Sequence, residues 1–119
     1  MLHCYDLVGT LANVSYPGEN LTSVIYTPKG AFTIITAQGP GSHANLYAQV
    51  REAFPNVQRI HTVRMGTDTL EGQRKAAVLK RISAHSYTDN NSNILDAIHK
   101  ALPDLPLYLA TNGRRRRYV

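Results

Sequence analysis

Short β-favouring runs alternate with segments of helical spacing along this chain. Residues 2–8, Leu-His-Cys-Tyr-Asp-Leu-Val, are mostly apolar or β-favouring and end at Gly9-Thr10, which reads as a buried strand and a turn. A second run, Ala31-Phe32-Thr33-Ile34-Ile35-Thr36, is closed by Gly39-Pro40-Gly41, and further strands are predicted over 57–63, 84–88 and 105–110. Ser42 caps a predicted helix that carries Ala44, Leu46, Val50 and Phe54 and stops before Pro55. Thr69 caps the next, with Leu70, Ala76, Ala77, Leu79 and Ile82 apolar, and Asn91 or Ser92 opens a third that runs through Leu102. Residues 21–26 suit a short helix or an extended piece equally. Strands that alternate with helices predict an α/β protein with a parallel five-stranded sheet and helical crossovers.

The 119 residues, 43% hydrophobic, suffice for one domain with a core. Lys and Arg total 13 against 8 Asp and Glu, a formal +5, and Arg114, Arg115, Arg116 and Arg117 supply most of the excess. Without those four the balance is 9 to 8, so the body is close to neutral. The layout expected is a core over 1–113 and a basic tail over 114–119. The tail reads as flexible and solvated, and the competing reading is a grip on nucleic-acid phosphates. No apolar run approaches the ~20 residues that span a bilayer and no secretory pattern opens the chain, so a cytoplasmic protein without a membrane partner is expected. Cys4 is the sole cysteine, which excludes an internal disulfide and a cysteine-based zinc site, and it reads as an inert core thiol. The five histidines form no close pair at metal spacing.

In an open α/β sheet, ligands gather beyond the carboxyl ends of the strands. The polar residues expected there are Asp6 and Thr10, then Thr36 and Gln38, then Asp89 and Asn90. Paired carboxylates flanked by hydroxyl and amide groups suit a hard, oxygen-seeking cation and a phosphate. Taken singly, Thr36 and Asp89 are ordinary strand-end or cap residues, and Lys75 shares a basic helix with Arg74, Lys80 and Arg81.

Their order adds a resemblance. Asp6-Leu7-Val8-Gly9-Thr10-Leu11 resembles the first motif of the haloacid dehalogenase (HAD) superfamily, usually Asp-x-Asp-Gly-Thr-Leu. Ile34-Ile35-Thr36-Ala37 is similar to the second motif, Lys75 suits the third, and Thr88-Asp89-Asn90-Asn91 resembles the acidic fourth. The resemblance implies a three-layer Rossmann-like core in which Asp6 attacks a phosphoryl group. It also implies that Thr36 and Lys75 bind the phosphoryl oxygens, and that Asp6, the backbone carbonyl of Val8 and Asp89 hold Mg²⁺.

Val8 departs from the motif. The family's second Asp protonates the leaving oxygen and then activates water, which valine cannot do, although its carbonyl remains a metal ligand. His43 is the only substitute acid suggested by position. The expectation is a Mg²⁺-dependent phosphate-ester hydrolase or phosphotransferase of reduced activity. The alternative is a HAD-derived module without turnover that binds a phosphorylated ligand, a nucleic acid or a protein. The stretch from Leu11 to Ile34 is too short for the cap domain that many relatives insert. The resemblance therefore implies an open site that takes a large phosphorylated substrate or is covered by a second copy in a homo-oligomer.

Overall fold

A computed structural model describes residues 1–6, 15–16, 19–20, 30–38, 48, 50–52, 54–111 and 114–119. The main sheet contains β1 (His3–Tyr5), β4 (Phe32–Gln38), β5 (Val57–Arg64), β6 (Ser86–Asp89), β7 (Leu107–Thr111) and β8 (Arg114–Arg117). A separate antiparallel pair is formed by β2 (Ser15–Tyr16) and β3 (Glu19–Asn20). The strand order of the main sheet is β5-β4-β1-β6-β7-β8. Every neighbouring pair from β5 to β7 is parallel, and only β8 is antiparallel to its neighbour. The expected five parallel strands are therefore present, with a sixth added at one edge.

That sixth strand corrects the reading of residues 114–117 as a solvated tail. Arg114 pairs with Thr111 and Arg117 with Tyr108, so the backbone of the run completes a ladder that β7 would otherwise leave open. Side chains hold it in place. The Arg115 guanidinium lies 3.6 Å from the centre of the Tyr108 ring, and Tyr118 packs on the core and bonds to Asp96. Charge repulsion along the run is tolerable because successive side chains of a strand point to opposite faces.

Two helices follow β5 and β6: α1 (Asp68–Arg81) and α2 (Ser92–Ala101). The cap of α1 is Thr67, two residues before the one expected, and its hydroxyl accepts the Leu70 N–H at 3.2 Å. Asp68 and Glu71 in the first turn and Lys80 and Arg81 in the last complement the helix dipole. Asn91 caps α2, accepting from the N–H groups of Asn93 and Ile94. At the end of α1, Ser83 takes the left-handed conformation usually filled by glycine, and its N–H bonds the Lys80 carbonyl while that of Ala84 bonds Leu79.

Both faces of the sheet are covered. On one, Cys4, Ile35, Tyr87 and Leu107 pack with Ala76 and Leu79 of α1 and with Ile94, Leu95 and Ile98 of α2. The helices meet closely at Gly72, where an added Cβ would stand 2.5 Å from that of Ala97. On the other face, Tyr5, Phe32 and Ile34 pack with Val50 and Phe54, from the segment where 48 and 50–52 are helical. Edge-to-face ring contacts join Tyr5 to Phe32 at 5.6 Å and Phe32 to Phe54 at 6.2 Å. No helix among the described residues is long and apolar enough to cross a membrane.

Candidate functional site

The central strand β1 has β4 on one side and β6 on the other, so the chain's connections diverge there, and in open α/β sheets that is where ligands bind, beyond the carboxyl ends of the strands. Asp6 directly follows β1, with its N–H bonded to the Thr88 carbonyl at 2.8 Å, and Asp89 ends β6. Tyr5 is opposite Thr88 in register, which sets the two carboxylates level on adjacent strands. Alternation along the strands turns both toward the face covered by α1, whose inward stripe of Gly72, Lys75, Ala76, Val78 and Leu79 carries one cation.

That cation joins the carboxylates. Lys75 Nζ donates to Asp6 Oδ1 at 2.9 Å and to Asp89 Oδ2 at 3.0 Å, with the lysine 1% exposed. Burial works against the ammonium, but the charges of Asp6 and Asp89 and the two hydrogen bonds outweigh it and raise the Lys75 pKa. The Tyr87 ring lies beneath the ammonium at 5.5 Å, and the Tyr87 hydroxyl donates to Asp89 Oδ2 at 2.7 Å. Asp89 Oδ1 accepts the Asn91 N–H at 3.0 Å. Burial and the charge of Asp6 push the Asp89 carboxyl up to about 6, against the pull of Lys75 and Tyr87. Burial, followed by the two carboxylates, also raises the Tyr87 phenol well above its ordinary value.

Asp6, Lys75 and Asp89, singled out by sequence, are thus brought into direct contact. Thr36 is buried on β4, one position beyond the level of Asp6, and no hydrogen bond among the described residues ties its hydroxyl to the trio. Val8, Thr10 and His43 lie outside the described residues. Two contributors were not anticipated. Tyr87 lies two positions before Asp89, so strand alternation was the signal that could have found it. Arg115 had no such signal; its Nε donates to Thr88 Oγ1 at 2.9 Å and its guanidinium lies 5.5 Å from the Tyr5 ring, so it braces the residues preceding both carboxylates.

Asp6 and Asp89 supply oxygen donors of the kind a hard divalent cation takes, and Lys75, Tyr87 and the Asn91 N–H are bonded to them in this structure. Two carboxylates and one ammonium carry a formal charge of one minus, and Mg²⁺ is commonly bound by one or two carboxylates with water and substrate oxygens completing its shell. No group of three or more Asp, Glu, His or Cys side chains capable of holding a metal occurs among the described residues. Cys4, fully buried in β1, is unsuited to such a role, its thiol pushed up to about 12 by burial. No family model matches the chain, and no curated protein or solved structure matches it.

Proposed function

We propose that the chain is a HAD-like hydrolase or phosphotransferase acting on a phosphate monoester, with Asp6 as nucleophile. The observation that carries this reading is the Lys75 ammonium held between Asp6 and Asp89 at adjacent strand ends. A carboxylate that attacks a phosphoryl group must overcome the repulsion between two anions, and a buried cation bonded to that carboxylate reduces it. The strand order, with the carboxylates astride the point where connections diverge, also supports a Rossmann-like core.

In the proposed reaction an Asp6 oxygen bonds to phosphorus as the ester P–O bond breaks and the alcohol leaves with a proton drawn from solvent. Water, or a second alcohol in a transferase, then takes the phosphoryl group and restores the carboxylate. Lys75 keeps Asp6 oriented and offsets its charge, while Tyr87 and the Asn91 N–H hold Asp89. Mg²⁺ would be held by Asp6, Asp89 and the Val8 carbonyl, and would supply neutralisation of the phosphoryl charge. Thr36 is assigned to a phosphoryl oxygen because it stands on β4, the strand next to β1, one position beyond the level of Asp6.

Release of 4-nitrophenol from 4-nitrophenyl phosphate in the presence of Mg²⁺ tests this reading. Turnover is expected to be slow in the wild type, lost in Asp6→Asn, and raised by about 10² or more in Val8→Asp, which restores an acid and base. No turnover by either the wild type or a folded Val8→Asp protein would leave the alternative, a module that binds without reacting.

A further inference from the structure

We propose that β8 is a nucleic-acid contact surface and that the phosphate monoester presented to Asp6 is the end of a DNA or RNA strand. The assignment of the terminal phosphate rests on the hydrolase reading; the contact at β8 does not.

Arg117 is opposite Tyr108, which is opposite Thr88, and Arg116 is opposite Leu109, which is opposite Asp89. Arg115 and Arg114 continue beyond that level, opposite Ala110 and Thr111. Arg116, Arg115 and Arg114 therefore lie level with the carboxylates or further toward the carboxyl end of the sheet, and Arg117 lies one position short of that level. With strands about 4.8 Å apart, β8 is roughly 10 Å from β6 and roughly 14 Å from β1. A duplex carries one phosphate per about 3.4 Å of axis on each strand, so a chain ending at Asp6 reaches β8 within about four phosphates.

The chemistry of the run fits that path. Same-side residues recur about every 7 Å along an antiparallel strand, giving two rows of guanidinium groups, one on each face. Arg114 and Arg116 are exposed, and no Asp or Glu side chain among the described residues pairs with them or with Arg117. Arg115 and Arg117 flank the Tyr108 ring, at 3.6 and 5.5 Å. A guanidinium fork matches phosphate oxygens and its plane stacks on bases, which an ammonium does not reproduce. Protection of a sheet edge against pairing with another chain requires only an occasional charge. Four consecutive arginines, carrying the protein from a formal +1 to +5, exceed that need.

Fluorescence anisotropy with a labelled single-stranded oligodeoxynucleotide bearing a 3′-phosphate tests the contact. The wild type is compared with R114Q/R116Q/R117Q, which leaves the bracing Arg115 in place, and with R114K/R116K/R117K. The glutamine variant should bind at least tenfold more weakly, with a slope of log affinity on log salt shallower by about 2 for three lost phosphate contacts. The lysine variant should retain most of the slope, and thermal melts identify a variant that fails to fold. If the glutamine variant fails to fold, the wild-type slope and its preference over labelled polyglutamate decide the matter. Absence of oligonucleotide binding by the wild type, an unchanged slope in a folded glutamine variant, or equal binding of polyglutamate would overturn the proposal. Oligonucleotide binding without turnover of 4-nitrophenyl phosphate would uphold the β8 contact and remove only the hydrolase reading.

Discussion

The Tyr87 hydroxyl donates to Asp89 Oδ2 at 2.7 Å, and the two residues are separated by one position on β6. They share a face because strand side chains alternate, so a phenol and a carboxylate meet in the core with Lys75 as their common neighbour. Hydrogen bonds to charged groups contribute about 1.5–3 kcal/mol. Tyr87→Phe should lose stability of that order in urea titrations and raise the Asp89 pKa further, as read by carboxyl NMR.

Asp89 also gives the protein a pH signature. Its folded pKa is about 6, against about 3.9 for an unperturbed Asp in the unfolded chain. The folded state therefore binds the extra proton between those values, and the contribution of Asp89 to stability is largest below the lower value and lost as pH rises through the upper. In metal-free buffer, acidification from pH 7 to 4 should shift the unfolding free energy of the wild type upward relative to Asp89→Asn. A constant difference across that range would show that Asp89 titrates normally.

Lys75→Met should be among the most damaging single substitutions. It leaves two buried carboxylates facing each other without a cation, a loss of about 3–5 kcal/mol at neutral pH. The deficit should shrink in acid, where one carboxyl takes a proton, and should be partly repaired by adding Asp89→Asn. Urea unfolding of the single and double variants at pH 5 and 7 checks both parts.

Deletion of residues 114–119 should destabilise the fold. It removes the β8 ladder, the Arg115 bond to Thr88 and the Tyr118 contacts with the core and Asp96. At about 1 kcal/mol for each hydrogen bond or cation–π contact, the expected loss is at least about 3 kcal/mol. A melting temperature equal to that of the full chain would contradict it.

Gly72→Ala tests the approach of α1 and α2. The new methyl would meet Ala97 Cβ at 2.5 Å and the Ile94 carbonyl at 3.0 Å, and neither is the far end of a flexible chain. Overpacking of this kind costs about 1–3 kcal/mol, more than alanine's helical advantage of about 1 kcal/mol returns. Gly72→Ala/Ala97→Gly should recover part of the loss in the same denaturation assay.

The parallel strands were legible because most are covered on both sides and read as apolar runs bounded by turns. Asp6, Lys75 and Asp89 were legible because each stands at a strand end or on a crossover helix, in an order that resembles a known motif set. Residues 114–117 were not, since four like charges carry the signature of a solvated segment and an edge strand pairs through its backbone, whatever its side chains. Thr67 and Thr69 both precede apolar helical residues. The selection of Thr67 as cap depended on its extended backbone, reinforced by Arg74 bonding the carbonyls of Arg64 and Met65 just before it.

The position of β1 has a kinetic consequence. Its register with β6 joins His3 to Ser86 and Tyr5 to Thr88, and the His3 and Ser86 side chains meet across 83 residues of chain. Such a pairing bears a large loop-closure entropy before its contacts stabilise it, which slows folding. In refolding experiments the β1–β6 seam should therefore acquire amide protection after the α1–α2 pair, whose contacts are closer in sequence. The event that seats β1 also brings Asp6 to Asp89, so the gathering of the three charged groups is timed to the late closure of the sheet.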